Sequence, residues 1–230
     1  MPHFADRHTA GKALAPLVRA AISDENVLVL GLPRGGVPVA FEIAASLDAP
    51  LDVFVVRKLG MPGEEELALG AVASGGVRVL NRDLIEILGV SETAIESVTR
   101  RELAELERRE QLYREGRPPI DVQHRTVVLV DDGLATGASM LAACRALRAA
   151  GSAQIVVAVP VAARETYKRF RKEADQIVCA LTPDDLGSVG RWYEDFSATS
   201  DEEVRNLLAE YVSSRTKRGF NASNVRGARE

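Results

Sequence analysis

The sequence predicts an α/β domain, a parallel sheet flanked by helices, and two observations carry this. Uninterrupted apolar, largely β-branched runs recur at 27–32 (VLVLGL), 51–56 (LDVFVV), 77–80 (VRVL), 126–130 (TVVLV), 154–161 (QIVVAVPV) and 176–181 (QIVCAL). A strand that is apolar on both faces must be covered on both faces, as in a parallel sheet. Helix-like stretches alternate with these runs, and a crossover helix is the usual connection between parallel strands. The stretch 36–47 reads as a helix with Pro38 in its first turn, where the missing N–H costs little. The stretch 138–150 places Met140, Cys144 and Leu147 on one face and ends at Gly151, a suitable C-cap. Between the third and fourth runs, 91–115 reads as an inserted, charged surface helix with Glu105/Arg109 and Glu110/Arg114 at i,i+4 spacing.

At 230 residues, with 46% hydrophobic and 27% charged, the chain has material for one well-buried domain and modest appendages. No apolar run approaches the ~20 residues of a membrane span. The start MPHFADRHTAGKALAPLV lacks the apolar block of a signal peptide, so a cytoplasmic location is expected. Cys144 and Cys179 are the only cysteines, which excludes a disulfide scaffold or a four-cysteine zinc site; both read as small core residues. A formal net charge of -4 offers no broad basic field, so nucleic acid is not an expected partner. The stretch 213–230, with Arg215, Lys217, Arg218, Arg226 and Arg229 among small polar residues, is expected to be a disordered tail following a domain over 1–212.

The chemistry concentrates where the run 126–130 ends. Asp131 and Asp132 are followed by Gly133-Leu134, then Ala135-Thr136-Gly137-Ala138-Ser139, then a helix. This is the carboxyl edge of a parallel sheet, where open α/β folds bind ligands. A helix N-terminus presents unpaired N–H groups, so a loop of small residues with two hydroxyls suits a phosphate. The adjacent carboxylates can accept from vicinal hydroxyls or face a metal. Alone, an acidic pair is often a helix cap and a small-residue turn is common; together they describe a ribose 5-phosphate site. Neither a Walker A loop nor GxGxxG is present.

The segment VVLVDDGLATGAS (127–139) resembles the signature of the type I phosphoribosyltransferases, which bind 5-phosphoribosyl 1-pyrophosphate (PRPP). The resemblance covers about 26–181 and implies that family's parallel sheet with a small hood, here about 182–200. It implies that Asp131 and Asp132 hold the ribose hydroxyls while Ala135, Thr136, Gly137, Ala138 and Ser139 anchor the 5-phosphate. The loop LGLPRGG (30–36) takes the place of the family's pyrophosphate loop, with Gly35 allowing close approach and Arg34 offering a guanidinium fork. Arg57 and Lys58, ending the run 51–56, would balance the leaving group, and 59–66 looks like the family's mobile loop. Mg²⁺ would be held mainly through PRPP and water, with Asp131 and Asp132 as candidate protein ligands.

The implied activity is Mg-dependent transfer of phosphoribosyl to a small nitrogenous, nucleobase-like acceptor by a homodimer. One departure bears on the acceptor: relatives acting on 6-oxopurines carry an aspartate where Ala135 stands, so those bases are disfavoured. Trp192, Tyr193 and Phe196 invite a base-stacking reading, but core packing accounts for them more simply. A PRPP- or nucleotide-sensing regulator on the same fold is the alternative. Retention of Arg34, Arg57 and Lys58 favours the enzyme, and a phosphosugar hydrolase would need a water-activating group that the sequence does not offer.

Overall fold

The computed structural model describes residues 3–226, in side-chain detail except at 65, 66 and 217–226. Its elements run α1 (Arg7–Ala21), β1 (Val27–Gly31), α2 (Gly36–Leu47), β2 (Leu51–Val53), β3 (Val56–Met61), β4 (Glu64–Ala73), β5 (Val77–Leu80), α3 (Arg82–Leu88), α4 (Glu92–Arg114), β6 (Thr126–Val130), α5 (Ala138–Ala149), β7 (Gln154–Val161), α6 (Arg164–Phe170), β8 (Gln176–Leu181) and α7 (Asp201–Arg226). Five parallel strands form the main sheet in the order β2-β1-β6-β7-β8.

Every residue of β1 and β6 is buried. Val29, Val128 and Val130 pack toward α1, α2 and α7, while Leu28, Leu30 and Leu129 pack toward α5. Each such side chain contributes about 1.5–3 kcal/mol of apolar burial, so the sheet's centre supplies much of the fold's apolar stabilisation. The expected face of α5, with Met140, Cys144 and Leu147, is buried there. Burial pushes the Cys144 thiol up to about 12, as befits a core residue.

Several expectations about the middle of the chain are corrected. The run 51–56 is not one strand: β2 stops at Val53, and the chain enters β3 only at Val56. Nor does 77–80 join the parallel sheet, because β5 pairs antiparallel with β4, which pairs antiparallel with β3. The segment 59–66, expected as a loop, is largely the β3–β4 hairpin, turned at Pro62 and Gly63 with φ +85° at the glycine. Antiparallel strands need only such a tight turn, and Pro-Gly supplies it. Arg57 and Lys58 therefore lie within a second, three-stranded sheet.

The inserted helix α4 is no plain surface helix. Ile95, Val98, Leu106 and Tyr113 are buried, and Arg114 turns inward to Asp52. At the C-terminal end, α7 seats Val204, Leu208 and Tyr211 in the core, where the Tyr211 hydroxyl donates to the Ala49 carbonyl at 2.6 Å. The backbone of 213–226, the described part of the stretch read as a tail, continues this helix, and 227–230 lie outside the described residues. A helix already nucleated by packing adds one hydrogen bond per residue at little cost, even through polar sequence. Among the described residues, no helix is long and apolar enough to cross a membrane.

Candidate functional site

The loops after β1 and β6 meet at the carboxyl edge of the sheet, and two glycines set how closely. A Cβ at Gly36 would lie 2.5 Å from the Val130 carbonyl oxygen, and one at Gly35 would lie 2.1 Å from Asp132 Oδ2. Any larger residue would force the loops apart. Arg34 stands on the same loop with its guanidinium half exposed; its nearest carboxylate, Asp201 at the start of α7, is 4.0 Å away.

Asp131 and Asp132 leave the sheet side by side, and the Asp132 amide donates to Asp131 Oδ1 at 2.9 Å. Burial, reinforced by the neighbouring Asp132, raises the Asp131 carboxyl well above the usual carboxylate range. Burial also raises Asp132, but the Arg7 guanidinium opposes this by donating from Nε to Oδ2 at 2.8 Å. One cation thus faces two partly buried carboxylates. A net negative charge held out of water is costly and favours a proton, a metal ion or hydroxyl donors nearby.

The segment 134–139 then opens as a cradle. Leu134 is tied to the sheet by its amide, which donates to Val161 O at 2.8 Å. The carbonyl of Ala135 accepts from Thr166 Oγ1 at 2.5 Å, and that of Thr136 accepts from Arg169, both on α6. In a trans peptide the C=O and N–H point oppositely, so fixing these carbonyls toward α6 aims the Thr136 and Gly137 amides away from it. Gly137 adopts φ +71°, with Phe170 2.6 Å from where a Cβ would stand, and begins α5 directly. The amides of Thr136, Gly137, Ala138 and Ser139 have no acceptor among the described residues. Open amides at the N-terminus of a 12-residue helix form a ready anion cradle.

Ser139 also lines a cavity of about 270 Å³ with Arg57, Lys58, Arg101 and Glu102, which links the cradle to β3. The two basic residues differ there. Arg57 is committed to the buried Glu102, donating from Nε at 2.9 Å. Lys58 has no ion-pair partner among the described residues and remains the available cation.

The structure therefore brings Gly35, Asp131, Asp132 and 135–139 together, sets Arg34 at the margin, and places Lys58 beside Ser139 with Arg57 already paired. Sequence reasoning missed Arg7, Thr166 and Arg169, which act across 125, 31 and 33 residues. The hood aromatics are largely structural. Trp192 is buried with its Nε1 donating to Leu186 O at 3.1 Å, and the Tyr193 hydroxyl donates to the Asp132 carbonyl at 2.6 Å. Phe196 alone is substantially exposed. The N-terminal segment stitches this hood down: Phe4 N donates to Trp192 O, Glu194 N to Phe4 O and Asp195 N to Ala5 O.

Residues 7–190 match the family model described as phosphoribosyl transferase domain. Two relatives from Mycobacterium tuberculosis, strains CDC 1551 and H37Rv, are provisionally named phosphoribosyl transferases; each is 50% identical over 208 residues, covering 90% of this chain and 47% of the relative. The chain thus spans about half the length of the curated relatives it matches. The crystal structure of TT1426 from Thermus thermophilus superposes with a TM-score of 0.83 at 43% identity, covering 91% of this chain and 99% of that one. With the family model spanning the sheet, the acidic pair and the anion cradle together, the chain belongs to the type I phosphoribosyltransferase family.

Proposed function

We propose that this protein transfers the 5-phosphoribosyl group from PRPP to a nitrogen nucleophile on a small, nucleobase-like acceptor. The C1–O bond to pyrophosphate breaks, a C1–N bond forms, and the nucleophile loses a proton. The observation that carries the reading is the packing of the Arg34 loop directly against Asp132 beside an anion cradle with free amides. The 5-phosphate would sit on the amides of 136–139, with the Thr136 and Ser139 hydroxyls adding donors. Asp131 and Asp132 would accept from the ribose hydroxyls, and their partly buried negative charge would favour positive character developing on the sugar. Arg34 and Lys58 would face the departing pyrophosphate, while Arg57 would help to orient that wall through Glu102.

Mg²⁺ fits this donor set. An ion would be held chiefly by PRPP and water oxygens, with the paired carboxylates of Asp131 and Asp132 as candidate protein ligands. The excess charge of Asp131 and Asp132 over Arg7 would favour a cation there. When bound, the metal would neutralise the leaving pyrophosphate. Ala135 has no proton-accepting side chain, which continues to disfavour 6-oxopurine acceptors. We further assign 1–212 to the transferase domain, 182–200 to its hood, and the working form to a cytoplasmic homodimer.

Arg34→Ala is expected to weaken PRPP by about 1.5–3 kcal/mol, the range for a charge-assisted contact. Ribose 5-phosphate, which lacks pyrophosphate, should lose far less; equal losses would make Arg34 structural. The activity is tested by following PRPP-dependent pyrophosphate release with Mg²⁺ across purines, pyrimidines and other nitrogenous acceptors. Release that depends on both PRPP and one acceptor class supports the reading, and its absence across the whole set would overturn it.

A further inference from the structure

Arg7 occupies an electrostatically poor position for a cation. It is the first residue of α1, behind the N-cap Asp6, where the helix dipole disfavours positive charge. Its side chain is nonetheless largely buried, at 11% exposure, so its contacts must justify both costs. Nε donates to Asp132 Oδ2 at 2.8 Å and Nη1 donates to the Ser197 carbonyl at 2.7 Å. The guanidinium carbon lies 4.0 Å from the Phe196 ring centroid and 6.0 Å from that of Tyr193.

These contacts enclose Asp132 from several directions. Arg7 takes Oδ2, the Tyr193 hydroxyl takes the main-chain carbonyl, and the main-chain amide is spent on Asp131. Gly35 admits the carboxylate against the neighbouring loop, because any Cβ there would overlap Oδ2. Among the described residues no other residue donates to Oδ1, the oxygen of this carboxylate that Arg7 leaves open. The same guanidinium that fixes the carboxylate also holds the hood through Ser197 and Phe196.

We propose that Arg7 is a positioning residue that acts through Asp132. It presents one carboxylate oxygen, Oδ1, to a single sugar hydroxyl and couples that orientation to the placement of the hood. This rests on the reading of Asp132 as a ribose-binding residue. Lysine could keep the charge but has no planar fork to serve Asp132 and Ser197 while stacking on Phe196.

The test is a double-mutant cycle on PRPP affinity in the full chain with Mg²⁺, using Arg7→Ala, Asp132→Asn and the combined variant, with Arg7→Lys alongside. Melting temperatures are recorded for each protein. Arg7→Ala alone should weaken PRPP about tenfold, within the span of coupling seen between contacting residues. In the Asp132→Asn background the same change should alter affinity less than about twofold, since its route of action is gone. Arg7→Lys should recover only part of the loss. A merely structural arginine would lower the melting temperature in both backgrounds while folded protein kept its affinity. Multiplying losses, or full rescue by lysine, would overturn this inference and leave the transferase reading standing. Failure of the parent itself to bind PRPP would overturn both.

Discussion

Replacing Arg114 by alanine is expected to cost about 3–5 kcal/mol of folding stability, the range for stranding one member of a buried ion pair. Asp52 interrupts the apolar edge strand β2, and its carboxylate is 9% exposed. Arg114 Nε donates to both of its oxygens at 3.0 Å, Nη2 donates to Val53 O at 2.8 Å, and Nη1 reaches Glu110 at 2.6 Å. The Val53 and Ile120 amides complete the shell at 2.8 and 3.3 Å. Removing the arginine leaves Asp52 buried without a countercharge, whereas Asp52→Leu with Arg114→Met should cost less than Arg114→Ala alone. Denaturant titration reads both variants, and a loss below about 1 kcal/mol for Arg114→Ala would show that the pair is far less buried than described. The pair matters to the site because it fastens α4, which carries Glu102 and so holds Arg57, to the edge of the main sheet.

Asp131→Asn is expected to move stability and binding in opposite directions. The folded state raises the Asp131 carboxyl above its ordinary value of 3.8, chiefly by burial and secondarily through Asp132. At intermediate pH the folded protein therefore holds a proton that the unfolded chain has released. By linkage the parent's stability falls as pH rises from about 3.8 through the raised folded value. The amide variant has no such titration, so its stability should change less across that window and equal or exceed the parent's at neutral pH. PRPP affinity should nevertheless fall by about 1.5–3 kcal/mol through loss of a charged acceptor. Thermal unfolding across pH and a PRPP titration of the same preparations provide the check. A variant less stable than its parent at neutral pH would contradict the account of Asp131 as a charge held at the fold's expense.

The parts of this architecture legible in sequence were those whose cause is local. β1, β6 and β7 are buried on both faces and so read as unbroken apolar runs, the edge strand β8 was legible from its apolar run although it is only partly buried, and α2 matched its expected span of 36–47. The cradle was legible because acidic pair, small-residue loop and helix start are contiguous. The second sheet was not: β3 carries Arg57, Lys58 and Gly60, and its pairing with β4 shifts register at Leu59/Gly60 and again at Gly60/Met61. Such irregularity hides the period-two pattern of a strand. A run as short as 77–80 also carries no information about which strand it will join. Arg7, Thr166 and Arg169 were invisible for a different reason: each reaches the site only because the tertiary fold brings α1 or α6 beside it.

The central claim is that the carboxyl edge of the sheet, with Asp131, Asp132 and the amides of 136–139, is a PRPP site. Isothermal titration of the full chain with PRPP and Mg²⁺ tests it most directly. The account predicts saturable binding that raises the melting temperature, because a ligand of the folded state alone must stabilise it, and it predicts marked weakening when Asp131 and Asp132 are both changed to asparagine. No detectable binding at millimolar PRPP, or undiminished binding by the doubly substituted protein, would contradict it.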